Sequence, residues 1–306
     1  MPQILLSGNS LYTSADFYRD LRTRGDYHLW LDTRVKGVFA KRSVHWADCT
    51  VAPSRAFAEE LRRWTGVPVL SIRHGFNRNT FCEDASALLA ETQQKLDSAK
   101  GALRLLFVSH YNYYRNFETL LRAIPLIQAR LNKTGLGKRR VVLFLTCKLR
   151  SQANPGSYRA EPAAALVQQL GIADHVVELG AIPYRLLHHV YHACDTYVTP
   201  AYAETFAHPL VEAMASGMPL VAAELPVHRE VCGDAALYFQ RFSPQELAEQ
   251  VLRLEASPDL RKALVEHSRA RSHDFSWEKH IEEMLCLAAS LTQTLATFQR
   301  SLGLTA

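Results

Sequence analysis

VTPAYAETFAHPLVEAMASGMPLVAAELPVHREV, residues 198–231, is the stretch whose reading decides the fold. Tyr197-Val198-Thr199 reads as the end of a strand, and a loop of small and polar residues follows. A helix then begins near His208-Pro209, because proline fits a first helical turn, where its missing N–H costs nothing and its φ is already helical. Gly217 stops that helix, and Pro219-Leu220-Val221-Ala222 opens the next strand. Two carboxylates frame the turn: Glu204 in the loop and Glu212 in the helix, with seven residues between them.

The spacing has a chemical use. Amides at the start of a helix, here those of Phe206, Ala207 and the first turn, have no partner inside the helix and carry the positive end of its dipole. Such a helix mouth suits a phosphate or diphosphate. Carboxylates would repel that anion, so Glu204 and Glu212 are better placed to accept hydrogen bonds from sugar hydroxyls beside it. A diphosphate held between two sets of hydroxyls describes a nucleotide sugar.

The stretch resembles the E-x7-E signature of retaining glycosyltransferases of family 4, which have the GT-B fold of two facing Rossmann-like domains. The likeness extends to Phe206, Pro209, the run Glu212-Ala213-Met214-Ala215-Ser216-Gly217, Pro219 and Glu230. A second block, ADCTVAPSRAFAEEL followed by VPVLSIRHGFN in residues 47–77, resembles the last strand–helix–strand of that family's N-terminal domain. Family members usually carry a much longer region ahead of it; here about 45 residues precede it. The N-terminal domain is therefore reduced, or the chain is a fragment, or a partner supplies the rest.

The family also clamps the donor diphosphate with a Gly-Arg pair and a Lys in the loop after the first strand of the C-terminal domain. In this chain Ser109-His110 and Arg115-Asn116 occupy those places. Arg115 keeps a permanent charge and can grip phosphate with two N–H groups. His110 helps only if protonated or as a neutral donor. Arg150, Tyr111, Tyr113 and Tyr114 are further candidates for the same cleft, although tyrosine stripes more often serve packing. Asp195 reads as structural.

The resemblance thus implies a GT-B-like α/β fold. It pairs a complete C-terminal Rossmann-like domain, with a doubly wound parallel sheet, with a truncated N-terminal α/β domain. Residues 1–79 are expected as the acceptor-side domain, 80–103 as a polar connector and 104–275 as the nucleotide-sugar domain. Residues 276–306, opened by Phe275-Ser276-Trp277-Glu278, are expected as a helix that crosses back to the N-terminal domain. The implied activity is transfer of a hexose from a nucleoside-diphosphate sugar to an acceptor hydroxyl with retained configuration, without a metal or other cofactor. Glu204 and Arg115 carry catalysis in that reading; Glu212, Thr205, Phe206, Ala207, His208, Ser109, His110 and Arg150 hold the donor. The alternative is a non-catalytic nucleotide-sugar-binding module that needs a partner chain.

Pattern elsewhere agrees with alternating strands and helices from residue 104 onward, the mark of a parallel doubly wound sheet. Strands are expected at 105–109, 141–146, 176–179, 196–199 and 236–239, and helices through Leu131, over 161–170 and 184–193, after Ser243-Pro244, and near 258–272 and 277–298. A Gly/Lys/Arg-rich turn precedes Val141. Further upstream, Ile4-Leu5-Leu6, Asp48–Ala52 and Val67–Ile72 read as strands, Ser54 caps a helix, and 14–47 shows helical patches with little pattern.

Bulk composition bounds the partners. With 306 residues, 48% hydrophobic and 21% charged, the chain has room for two globular domains. Net charge of +5 is a mild excess that reads first as a solvated surface; its functional reading is attraction to nucleotide phosphates or an anionic membrane face, with no nucleic-acid partner expected. Six scattered cysteines without a C-x-x-C, and the lack of a signal peptide, read as a reducing cytoplasm. Thirteen histidines show no metal-binding spacing. No apolar run reaches the roughly 20 residues of a spanning helix. Contact with a membrane surface, a second copy or a partner chain stays open, as does the acceptor: a glycan, a lipid-linked group or a small molecule.

Overall fold

The computed structural model of the chain describes residues 2–133, 139–156 and 158–301, with side chains described as far as residue 293. The expected Gly/Lys/Arg-rich turn before Val141 lies largely at 134–138, outside the described residues. Two compact units form. The smaller comprises Met1–Phe76, Ala203–Phe206 and Phe275–Ala306; the larger comprises Asn77–Tyr202 and Ala207–Asp274.

The smaller unit contains β1 (Ile4–Leu6), α1 (Ala15–Thr23), α2 (Tyr27–Trp46), β2 (Cys49–Ala52), α3 (Arg55–Thr65) and β3 (Leu70–Ser71). Its three strands are parallel in the order β1-β2-β3, with Ile4 opposite Cys49 and Val51 opposite Leu70. Side chains of Ser14, Asp26 and Ser54 accept the amides of Phe17, Leu29 and Phe57 in the first turns of α1, α2 and α3, which sets where each helix starts. The strand expected over Val67–Ile72 is paired only at Leu70–Ser71; Pro68 has no N–H to give a ladder. The weakly patterned stretch 14–47 forms two full helices. Its apolar residues do not point in one direction, as described below.

The larger unit opens with α4 (Arg78–Cys82) and α5 (Ala90–Asp97). β4 (Leu103–Phe107), α6 (Phe117–Lys133), β5 (Val141–Leu145), α7 (Glu161–Gln169), β6 (Val176–Glu178), α8 (Leu187–His192) and β7 (Thr196–Thr199) follow. α9 (His208–Ala215), β8 (Leu220–Ala223), α10 (Pro226–Cys232), β9 (Ala236–Phe239), α11 (Pro244–Ala256) and α12 (Pro258–Ser272) complete it. Residues 80–103, expected as a connector, pack within this unit: Phe81 is fully buried against Tyr184 and Tyr191, and Lys95 Nζ donates to the Glu178 carbonyl at 3.3 Å. The expected helix 184–193 begins as a 3-10 turn at Tyr184–Leu186 before α8.

All six strands run parallel in the order β6-β5-β4-β7-β8-β9. Every residue of β5, β7 and β8 is buried, as a parallel sheet covered on both faces requires. Asp195 is structural: its carboxylate accepts from the Arg104 amide at 2.8 Å and pairs with the Arg104 and Arg139 guanidiniums, joining the feet of β4 and β7. The fold is GT-B-like, with a Rossmann-like doubly wound sheet in the larger unit and a three-stranded α/β unit beside it in sequence.

The last helix, α13 (Trp277–Ser301), belongs to the smaller unit. His280 Nδ1 lies 3.0 Å from the Arg73 carbonyl, and the His74 ring packs against Trp277. A Cβ on Gly75 would sit 2.2 Å from the Trp277 nitrogen, so the close approach of these segments requires glycine there. Among the described residues no helix is long and apolar enough to cross a membrane.

Candidate functional site

Strand order reverses between β4 and β7, and in open parallel sheets ligands bind outside the carboxyl ends at such a switch point. The loops leaving those ends build a cavity of about 450 Å³. Ser109, His110 and Arg115 come from the loop after β4, Lys148 from the loop after β5, and His208 and Glu212 from α9.

Hydrogen bonds between loops hold this mouth open. Ser109 N–H donates to Thr146 Oγ1 at 3.0 Å, and Tyr111 N–H to Asn154 Oδ1 at 3.2 Å. Asn154 in turn donates to the Lys148 carbonyl at 2.6 Å. Across the switch point Tyr202 N–H reaches the Tyr114 carbonyl at 3.0 Å. Asn116, in the left-handed region at φ 55°, is buried; its Nδ2 donates to the Pro200 carbonyl at 3.0 Å and its Oδ1 accepts from Thr119. That turn places Arg115, whose guanidinium carbon lies 5.1 Å from the Tyr114 ring centre. Tyr111 and Tyr113 are buried packing residues.

Glu212 is the unusual group. It is 5% exposed, on the first turns of α9, and the fully buried Tyr191 on α8 donates its hydroxyl to Glu212 Oε2 at 2.8 Å. Burial pushes its pKa up to about 7, against the lowering effect of the Tyr191 bond. The pKa of His110 moves down, through partial burial and then the nearby Arg115 charge, which favours its neutral form. Cys147 also lines the cavity, but burial, then the Glu178 charge, pushes its thiol up to about 12 and removes it as a nucleophile. Ala207 precedes α9 with φ 68°, a conformation that strains a side chain and re-aims the chain into the helix.

Sequence reasoning found Ser109, His110, Arg115, His208 and Glu212 at this cavity. Arg150 is exposed and not among the lining residues; Lys148 holds that place, its Nζ donating to the Glu178 carbonyl at 2.9 Å. Lys148 and Tyr191 were missed. A lysine just past a buried strand was the signal for the first; nothing marked the second. Glu204 and Thr205 are half-buried in the smaller unit, where Glu204 Oε1 accepts the Thr205 amide at 3.3 Å. The Thr205 carbonyl accepts Ser54 Oγ at 2.7 Å, and Phe206 packs on His74 and Phe275. Glu204, Thr205 and Phe206 are not among the residues lining the cavity.

Comparison with known proteins adds the following. The model of the family of glycosyl transferases group 1 matches residues 89–271, more than half of the chain. A D-inositol 3-phosphate glycosyltransferase of Actinosynnema mirum is 30% identical over 198 residues, 64% of this chain and 46% of that protein. An O-antigen chain mannosyltransferase B of Escherichia coli is 31% identical over 100 residues, 33% of this chain and 26% of that one. The chain spans about half the length, or less, of the first curated relatives it matches. Among solved structures, HepE of Anabaena in complex with UDP-glucose aligns with a TM-score of 0.70 at 19% identity, covering 94% of this chain and 72% of that one. Sucrose-phosphate synthase from Thermosynechococcus elongatus aligns at 0.69 and 23% identity, covering 86% and 62%.

Proposed function

This chain belongs to the group 1 glycosyl transferases, and from that premise we infer that it moves a sugar from a nucleoside diphosphate to an acceptor hydroxyl with retained configuration. The observation that carries the reading is one cavity lined by two cations, Arg115 and Lys148, and one buried carboxylate, Glu212. Cations suit the diphosphate, whose charge grows as the glycosidic bond breaks. Glu212, when ionised, accepts the hydroxyls of the ribose. HepE and its UDP-glucose complex make a uridine nucleotide the first donor to try.

Glu204 orients the transferred sugar in this proposal, and the backbone near Phe206 and Ala207 contacts sugar or phosphate, both on the strength of the sequence resemblance. Catalysis rests on charge stabilisation, with the leaving phosphate taking the acceptor's proton and no metal required. The test is a thermal-shift panel of UDP, GDP, ADP and their common sugar conjugates, followed by product analysis with the conjugate that binds. Donor turnover that falls in Glu204→Gln while donor affinity holds supports the reading. Binding without turnover, with any acceptor, leaves a nucleotide-sugar-binding module instead.

A further inference from the structure

α2 carries its bulk on the wrong side. The residues it buries in the smaller unit are small or slender: Thr33, Gly37 and Val44. Gly37 lies where a Cβ would touch Tyr12 at 3.6 Å, so the helix sits close to its neighbour. The large apolar residues point outward. Val38 is 67% exposed, Phe39 66% and Trp46 69%, and Tyr27, Leu31 and Val35 are exposed with them. At about 100° per residue these six fall within an arc of roughly 120°, the width of stripe that usually faces a core.

Cations border that arc. Arg34 and Lys41 lie along one margin and Lys36 along the other, while Arg42 rises within it, 4.8 Å from the Trp46 ring. Asp32, paired with Lys36 at 2.7 Å, is the single acid within the helix. The Arg34–Lys41 margin opens on a second cavity, of about 250 Å³, walled by Tyr12, Tyr18 and Trp64. Arg34 lies 4.2 Å from the Tyr18 ring centre and Lys41 5.9 Å from that of Trp64.

We propose that α2 seats the smaller unit on an anionic lipid surface, with Leu31, Val35, Val38 and Phe39 in the headgroup–acyl boundary and the Arg34–Lys41 cavity taking a lipid phosphate. A helix whose apolar stripe is outward, aromatic at its ends and flanked by cations has the composition of one that lies in a membrane interface. Charge complementarity selects anionic lipid over a second copy of the chain, because two α2 faces would bring like cations together. This site shares no residue with the donor cavity, and its failure would leave the donor reading untouched.

Co-sedimentation of the full chain with vesicles decides the matter. The chain is expected to bind vesicles of equal parts phosphatidylglycerol and phosphatidylcholine, and to bind phosphatidylcholine alone far more weakly. Removing two cations in Arg34→Gln/Lys41→Gln should weaken binding roughly 25-fold, and Val38→Ser/Phe39→Ser at least about tenfold. Arg34, Val38 and Phe39 are exposed and Lys41 is half-buried at the cavity rim, so both variants should fold as the parent does, which circular dichroism verifies. Trp46 fluorescence should shift to the blue on anionic vesicles and not on neutral ones. The proposal is overturned if the parent ignores anionic vesicles or if both variants bind like the parent. It is equally overturned if sedimentation velocity reveals a dimer that Val38→Ser/Phe39→Ser dissolves.

Discussion

The two units use the same residue types in opposite directions. In the larger unit β5 runs Val-Val-Leu-Phe-Leu and buries all of them, while the charged groups gather at the carboxyl ends of the strands. In the smaller unit α2 turns Val38, Phe39 and Trp46 to solvent and buries Gly37. The difference teaches that hydrophobicity alone does not reveal stability. What counts is whether the apolar area has left water. An apolar side chain that remains in water is available for a partner.

Substitutions sharpen that contrast, and the largest effect is expected in the sheet. Phe144→Ala removes a fully buried ring from β5 and should cost about 3–5 kcal/mol in a denaturant titration. A cost below about 1 kcal/mol would mean that the sheet is not the core. Asn116→Ala should come next, at about 2–3 kcal/mol, because it strips the Pro200 carbonyl and the Thr119 hydroxyl of partners and leaves alanine in the left-handed region. Its loss of nucleotide affinity should exceed what the stability change explains, since the same turn places Arg115.

Glu212 gives the third effect, with a definite sign. Its pKa is raised by burial to about 7, so the fold favours the neutral carboxyl. That relative stabilisation is present in acid and is lost as pH rises through 7. Glu212→Gln keeps a neutral group at every pH, and its unfolding free energy should exceed the parent's by up to about 3 kcal/mol at pH 8, with the gap closing near pH 5. Equal pH profiles would show that Glu212 has the same pKa in the folded and unfolded chain, so that burial does not raise it. The same substitution should weaken nucleotide binding, a trade of function against stability. Smallest of all is Phe39→Ser, expected to change stability by less than about 0.5 kcal/mol in the absence of lipid.

Legibility in the sequence followed these physical lines. Buried parallel strands were plain at 141–145, where every residue is apolar, and at 196–199, where Tyr197 and Val198 lie between β-branched threonines, and Ser54, Pro209 and Pro244 marked helix starts through backbone chemistry that does not depend on context. α2 was illegible as a helix with a face. Its large apolar residues face away from the unit, and its inner side needs only small groups for close approach. Glu212 and Arg115 could be read because their spacing carries the family pattern. Lys148 could not be told from Arg150 two residues on, since the sequence does not say which of two neighbouring loop cations turns inward. Tyr191, on α8, fixes Glu212 through a bond across helices that no local pattern encodes. Glu204 and Thr205 group with the smaller unit although they sit between β7 and α9 in sequence, a long-range preference set by Ser54 and His74.

The central claim is that Arg115 and its cavity hold the diphosphate of an activated sugar. Calorimetric titration tests it directly: whichever of UDP, GDP and ADP binds is compared with its free nucleoside, on the parent chain and on Arg115→Ala. The account predicts that Arg115→Ala weakens the diphosphate by about 1.5–3 kcal/mol, the worth of a hydrogen bond to a charged group, and leaves the nucleoside nearly unchanged. Equal losses for both ligands, or no loss for either, would contradict it.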